Sequence, residues 1–508
     1  MRAAMSMCWV LLAARSRWGA PRSLARAQAI YSWPSGIRPA AALCGRCGRG
    51  GAAPDQATAL AVNGTSLYLT GSYRGANAAF GPTTLPDAGN AADVFVAKLT
   101  DAGSSASFTW ALAGGGAGTE LGSKLAVLGN AVYVGGTFSS ATVSFGSTTL
   151  VSAGNLDVFL AKLTDNGSTA GFSWVEPLPY NSANKEELAA LVASSAGVYI
   201  AGYYNFYYAP IGVGNVIYSN FLTKVVDNGS SASYGWRQTV PDMVSDLAVN
   251  GANLYVAGIF RNSAAFGSTI LTGPPQGPAA NGACEAYVAK LVDAGTTSSY
   301  AWAKQTVNAN FSTPNINSLA VRGADVYATG YSGSSTSVLG SAALPAGSFV
   351  AKLADAGSSA SAAWVLQAGG NGFTPSALAT SGTAVYVAGT MGPQTNFGNI
   401  VLTNAPANLY EPFLAAITDV ALPARSSALL VDLSLYPNPA HATATVRVPA
   451  GNIPATLTLL DALGRPVRTQ AAAPGTDCPL GLAGLAPGVY ALRVQAGEAL
   501  AVRQLVVE

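Results

Sequence analysis

The chain of 508 residues is half apolar yet only 10% charged, with 57 Gly and 28 Pro. Its length allows two or more domains, and no apolar run approaches the roughly 20 residues that a transmembrane helix needs. Residues 1–54 carry eight Arg and no Asp or Glu, which leaves 18 basic against 24 acidic side chains in the rest of the chain. A mildly acidic body offers no footprint for nucleic acid.

Residues 1–49 form an atypical Arg-rich leader. Met7–Ala14 is a short apolar run between Arg2 and Arg15, a poor secretory signal. Cys44-Gly-Arg-Cys47 has CxxC spacing, but without a second pair or a neighbouring histidine it predicts no metal site. Two readings stay open for this stretch: a mis-started or frame-shifted segment, or a disordered basic leader.

Residues 50–420 are governed by a repeat. One module runs Ala-Leu-Ala-Val, a turn, an apolar-Tyr-apolar-x-Gly strand, a Phe-Gly loop, Asp-Val-Phe-Val-Ala-Lys-Leu, Asp-x-Gly, and a Ser-rich strand ending in Trp. The tyrosine recurs as Tyr68, Tyr133, Tyr199, Tyr255, Tyr327 and Tyr386, closed by Gly71, Gly136, Gly202, Gly258, Gly330 and Gly389. Lys98, Lys162, Lys224, Lys290 and Lys352, and Trp110, Trp174, Trp236, Trp302 and Trp364, both step by 64, 62, 66 and 62 residues. The sixth copy has Ala416 for the lysine and no Trp strand.

Short β-branched runs punctuated by Gly, Asn, Asp and Ser predict an all-β chain. Asn63-Gly64 and Asn250-Gly251 are tight hairpin signals. In Asp93–Leu99, Phe95, Ala97 and Leu99 share one face and Val94, Val96 and Lys98 the other. A lone four-stranded sheet with two apolar faces cannot bury both, so the modules are expected to stack as blades. They resemble a bacterial β-propeller repeat family over residues 55–419. A β-propeller of about six modules, in six or seven blades, is the expected fold, with a linear β-solenoid as the rival. The ring is one Trp strand short.

After a Pro- and Ala-rich linker at 421–432 the character changes. Residues 433–508 hold short strands that suit a small Ig-like β-sandwich. Its motifs are Tyr436-Pro437-Asn438-Pro439, Asp461-x-x-Gly464-Arg465-x-Val467, Leu485-x-Pro487-Gly488-Val489-Tyr490-x-Leu492-x-Val494, and an apolar terminus with Arg503. In order and position they resemble the type A C-terminal sorting domain of the type IX (Por) secretion system of the Bacteroidetes. The resemblance implies passage through the periplasm, recognition by the type IX translocon and sorting machinery, and an extracellular or outer-surface destination. It implies cleavage and attachment to surface lipopolysaccharide in many members.

The sequence proposes no catalytic residues, cofactor or metal. His441 is the one histidine and lies in the C-terminal module, which excludes His-based triads from the repeats. Asp101, Asp165, Asp227, Asp293, Asp355 and Asp419 read as turn residues, and the lysine series is expected to snorkel to solvent. Glu186 and Glu187 are expected on a solvated loop. The run Tyr203, Tyr204, Phe206, Tyr207 is a candidate loop patch for an unknown extracellular ligand, glycan or protein. A non-catalytic binding, adhesion or scaffold role is expected, with an extracellular polysaccharide hydrolase or lyase as the alternative.

Overall fold

The computed structural model describes residues 55–508 apart from 77, 87–90, 104, 155, 179–184, 208–216, 275–282, 308–312, 369–373, 393, 398–399, 404–410, 420–432, 449–453, 462–464 and 497–498. The Arg-rich leader, with Cys44 and Cys47, lies outside the described residues. The chain divides into a larger unit ending at Thr418 and a smaller one from Asp419 to Glu508.

The described residues of the larger unit form strands and turns. Its first module runs β1 (Gln56–Asn63), β2 (Ser66–Arg74), β3 (Ala79–Phe80), β4 (Thr83–Thr84), β5 (Ala92–Asp101) and β6 (Ala106–Gly116). Strands β1, β2, β5 and β6 form an antiparallel sheet in chain order. The second module repeats this with β7 (Glu120–Leu128), β8 (Ala131–Phe138), β9 (Thr142–Phe145), β10 (Thr148–Val151), β11 (Asp157–Asp165) and β12 (Ala170–Pro177). Three further modules follow the same plan, and the sixth shows three main strands among the described residues. Asn63-Gly64 turns the first hairpin, with Asn63 opposite Ser66 and Gly64 at φ +57°.

The stretch read as a Phe-Gly loop is an extra hairpin inserted between the second and third main strands. Its phenylalanine tucks onto the aromatic of the lysine strand: Phe145 lies 4.6 Å from Phe159 and Phe80 lies 4.8 Å from Phe95, centroid to centroid. Each fully buried Phe contributes about 1.5–3 kcal/mol. The hairpin of one module also pairs with the outer strand of the preceding one, Gly114 opposite Phe145 and Thr306 opposite Leu339.

Both faces of each sheet are buried, as the alternation requires. Phe95, Ala97 and Leu99 join a cluster within module 1. Val94 and Val96 join Tyr68 and Trp110 against Val132, Val134 and Phe159 of module 2. The same arrangement unites modules 2 and 3, 3 and 4, and 4 and 5.

The recurrent glycines have a steric cause. Every inner strand carries a bulge, between Ala57 and Ala59 in β1 and between Gly122 and Lys124 in β7. A Cβ on Gly71 would meet Gln56 O at 1.9 Å, and one on Gly258 would meet Met243 O at 1.9 Å. No side chain fits there.

The lysine and aspartate series correct the sequence reading. Lys98 is 6% exposed and does not reach solvent. Its Nζ contacts Asp165 Oδ2 of the next module at 2.6 Å and donates to Gly167 O at 3.0 Å. The same carboxylate accepts Tyr68 OH at 2.6 Å and Trp110 Nε1 at 3.1 Å, and Gly167 N at 2.9 Å from its own turn. Tyr133, Lys162 and Trp174 repeat this on Asp227. Tyr199, Lys224 and Trp236 repeat it on Asp293, and Tyr255, Lys290 and Trp302 on Asp355. The turn reading holds at Asp101, Asp165, Asp227, Asp293 and Asp355, where Oδ1 accepts the backbone N–H of the glycine two residues on; the residues after Asp419 lie outside the described ones. At the last four of these the same carboxylate also locks two modules together. In module 5, Lys352 pairs with Asp325 of its own module at 2.9 Å.

Two outcomes follow. Asp293→Ala, which strands the Lys224 ammonium in a buried site, should cost about 3–5 kcal/mol in urea unfolding; the Lys224→Ala/Asp293→Ala double variant should lose less than the two single losses combined. Burial raises the carboxyl pKa at Asp165, Asp227, Asp293 and Asp355, but the Lys, Tyr and Trp donors outweigh it and hold all four below the ordinary range. Their contribution is complete above about pH 4 and is lost as pH falls through the lowered values. An acid titration followed by tryptophan fluorescence should therefore show cooperative unfolding only below about pH 4.

Candidate functional site

In the smaller unit two antiparallel sheets enclose one core of Leu433, Val446, Leu457, Leu459, Leu492, Leu505 and neighbours. One sheet joins Ser434–Tyr436, Thr443–Arg447 and Asp477–Gly481. The other orders Pro466–Ala472, Ala455–Leu460, Gly488–Ala496 and Ala499–Val507.

The motif residues lie on the surface of this unit and hold its ends. Tyr436, Pro437, Asn438 and Pro439 are exposed, with cis peptide bonds before both prolines. Asn438 Nδ2 donates to Gln504 O at 2.8 Å, and its Oδ1 accepts Val506 N at 2.8 Å. Ala440 and Glu508 extend that attachment by backbone hydrogen bonds, so the Tyr-Pro-Asn-Pro segment clamps the last strand. Tyr436 OH donates to Asp477 Oδ2 at 3.0 Å, and that carboxylate raises the phenol's pKa.

Arg465 folds back on Asp461, with Nε to Oδ2 at 2.8 Å and backbone N to Oδ1 at 2.9 Å. Gly464, within that turn, lies outside the described residues. Pro487 and Gly488 are exposed at the turn into the penultimate strand, where Tyr490 OH donates to Ala486 O at 2.8 Å. Arg503 is exposed, and its Nη1 donates to Val502 O at 3.2 Å. His441 Nε2 sits 3.3 Å from Glu508 Oε2.

In the larger unit the aromatic run is strand, within Gly197–Tyr207, where a loop was expected. Tyr203 pairs with Asn220 and Tyr204 with Ser219. Tyr204 packs 6.5 Å from Phe221 and under the Arg237 guanidinium at 5.2 Å. The side chains of Phe206 and Tyr207 lie outside the described residues. Glu186 also departs from expectation: it is 2% exposed, and its Oε2 accepts Val158 N at 3.2 Å.

The charged residues that break the repeat stand on the inner strands. Directly before the recurrent leucine come Ala59, Lys124, Ala190, Asp246, Ser318 and Ala377. Burial depresses Lys124 below the usual lysine range, and the carboxylates of Asp246 and Glu187 oppose that shift. Burial raises Asp246, while Leu319 N (2.8 Å), Leu247 N (2.9 Å) and the Ser318 side chain stabilise its charge. Lys124 and Asp246 belong to modules 2 and 4, with module 3 between them. Sequence inspection passed over this position because alanine or serine holds it in four modules. Aligning the six copies on the leucine exposes it. Among the described residues, no group of three or more His, Cys, Asp or Glu is placed to hold a metal ion.

Asn438→Ala removes both side-chain bonds to the last strand and should raise amide exchange across Ala499–Val507 about tenfold, measured by mass spectrometry.

No curated protein matches this chain. Among solved structures, it is similar to a sialidase of Trypanosoma rangeli, with 10% identity, 88% of this chain and 83% of that one covered, and a TM-score of 0.36. It is also similar to a GH32 β-fructofuranosidase of Bombyx mori, with 10% identity, 76% and 85% covered, and a TM-score of 0.27. Residues 434–508 match the family model of the secretion system C-terminal sorting domain. No helix among the described residues is long and apolar enough to cross a membrane. The two-sheet unit that ends this chain is thus a type IX sorting domain, which engages the type IX secretion machinery and directs the protein to the cell surface or extracellular space.

Proposed function

We propose that the larger unit is a β-propeller of six modules and serves as a non-catalytic binding head, delivered to the cell exterior by the sorting domain across a linker at 421–432. The inner strands line its axis, and the ligand, an extracellular glycan or protein, is taken at Lys124, Glu187 and Asp246. The observation that carries this reading is the charge gathered on the first strands of modules 2, 3 and 4, where Asp246 and Glu187 act on the Lys124 ammonium. Alanine holds the equivalent position at 59, 190 and 377, and serine at 318. A polar ligand taken there would meet one ammonium and two carboxylates.

The second reading, a polysaccharide-acting hydrolase or lyase, is favoured by the same break in the repeat, because acids at a propeller axis are what such chemistry would need. A glycan array run beside a hydrolase screen on the full chain separates the two. Binding without turnover is expected, weakened at least about tenfold in Lys124→Ala and Asp246→Asn, the loss of one charged hydrogen bond. Turnover that Asp246→Asn abolishes would establish the enzyme, and unchanged binding in both variants would remove the axis from the function.

A further inference from the structure

At the junction of modules 1 and 2, two carboxyl groups are buried beside each other. Asp93, near the start of β5, is 9% exposed, and Glu120, the first residue of β7, is 0% exposed. The oxygens of Glu120 are cradled: Oε2 accepts Gly116 N at 3.0 Å, while Oε1 accepts Ser140 N at 3.2 Å and Ser140 Oγ at 2.6 Å. Asp93 takes a backbone hydrogen bond from Gly116 and shares a side-chain hydrogen bond with Glu120, while its Oδ1 is buried without a hydrogen-bond partner among the described residues. The backbone of Gly115 closes over the group, so that a Cβ there would come within 2.2 Å of both carboxyl oxygens.

In module 2, Asp157 occupies the equivalent position next to Glu186 and accepts Ala153 N at 3.0 Å, Gly154 N at 3.3 Å and the Ser152 hydroxyl. Among the described residues the groups facing Asp93 are few. Strand β7 presents Glu120, and β6 presents only Gly114–Gly116. Strand β2 presents Tyr73, whose hydroxyl donates to Pro86 O at 3.1 Å, and the exposed Arg74 beside Asp55. Two adjacent carboxyls, one ringed by donors and the other with one orphaned oxygen, are satisfied by one proton between them.

We propose that Asp93 and Glu120 form a single-proton latch: the proton on Asp93, shared with Glu120, holds module 1 closed on module 2, and its loss loosens that junction. Burial and the Glu120 charge push Asp93 up to about 7. Because that value lies above the ordinary carboxyl range near 4, the closed junction binds one more proton than the open one. Its closed-to-open ratio is greatest in acid, falls about tenfold per pH unit between about 4 and 7, and is level above that. This is opposite in sign to the aspartate clasps, which fail only below about pH 4.

Hydrogen exchange of the full chain from pH 4.5 to 8.5, corrected for intrinsic rates and referenced to Asn253–Phe260 in module 4, tests the latch. Protection of strands β1 to β6 should fall by about 100-fold between pH 5 and 7, and Asp93→Asn should show no such fall. Glu120→Gln, which keeps an acceptor for Ser140, should flatten the profile too and decides the matter if Asp93→Asn does not fold. A wild-type profile already flat, or an unchanged fall in the folded variants, would overturn the latch.

Discussion

The larger unit depends on one shared carboxylate at each of its first four module junctions. Leaving Asp165 or Asp293 unpaired in an apolar interface would cost several kcal/mol. Each instead gathers a tyrosine hydroxyl, a lysine ammonium and an indole N–H from the preceding module, with a backbone N–H from its own turn. The donors come from three strands of one sheet, and the acceptor sits in the turn between two strands of the next. Satisfying the charge therefore fixes one sheet against its neighbour in both distance and angle. The apolar faces supply the bulk of the burial, but they are non-directional. The clasp supplies the register.

That regularity gives meaning to the exceptions. Lys124 and Asp246 place charge on inner strands where other modules carry alanine or serine, and each must be stabilised by groups from other modules. Asp93 and Glu120 place two carboxyls where one proton has to serve both. The sorting domain follows another logic. Its polar motif residues lie at the surface, where Asn438 ties the Tyr-Pro-Asn-Pro segment to the last strand and Arg465 closes its own turn on Asp461. The family's signature thus coincides with the residues that hold its terminal strand in place.

Much of the fold was legible in the sequence. The alternation in Asp93–Leu99 assigned side chains to the correct faces, Asn63-Gly64 gave the hairpin, and the step shared by lysine and tryptophan revealed two strands at fixed offset. The errors have a common origin. Lysine at a strand end was taken to seek water because its partner, an aspartate about 67 residues on, is distant in sequence. The aromatic run after Gly202 was read as loop because it breaks the repeat, yet β-pairing with Ser219 and Asn220 holds it as strand. Glu186 was placed in solvent on local polarity, while the junction buries it against Val158 N.

By itself the sequence determined the module, its strand order, the faces of each strand and the destination written in the C-terminal motifs. These are local patterns or contiguous motifs, and period-two geometry and turn chemistry are enough to read them. Only the tertiary structure decided which aspartate meets which lysine, why the closing glycines admit no Cβ, and which charges share the inner strands. The ion pairs depend on contacts between residues more than fifty positions apart, where burial changes the free energy of a charge, and the glycines on the bulged backbone of the strand paired beside them.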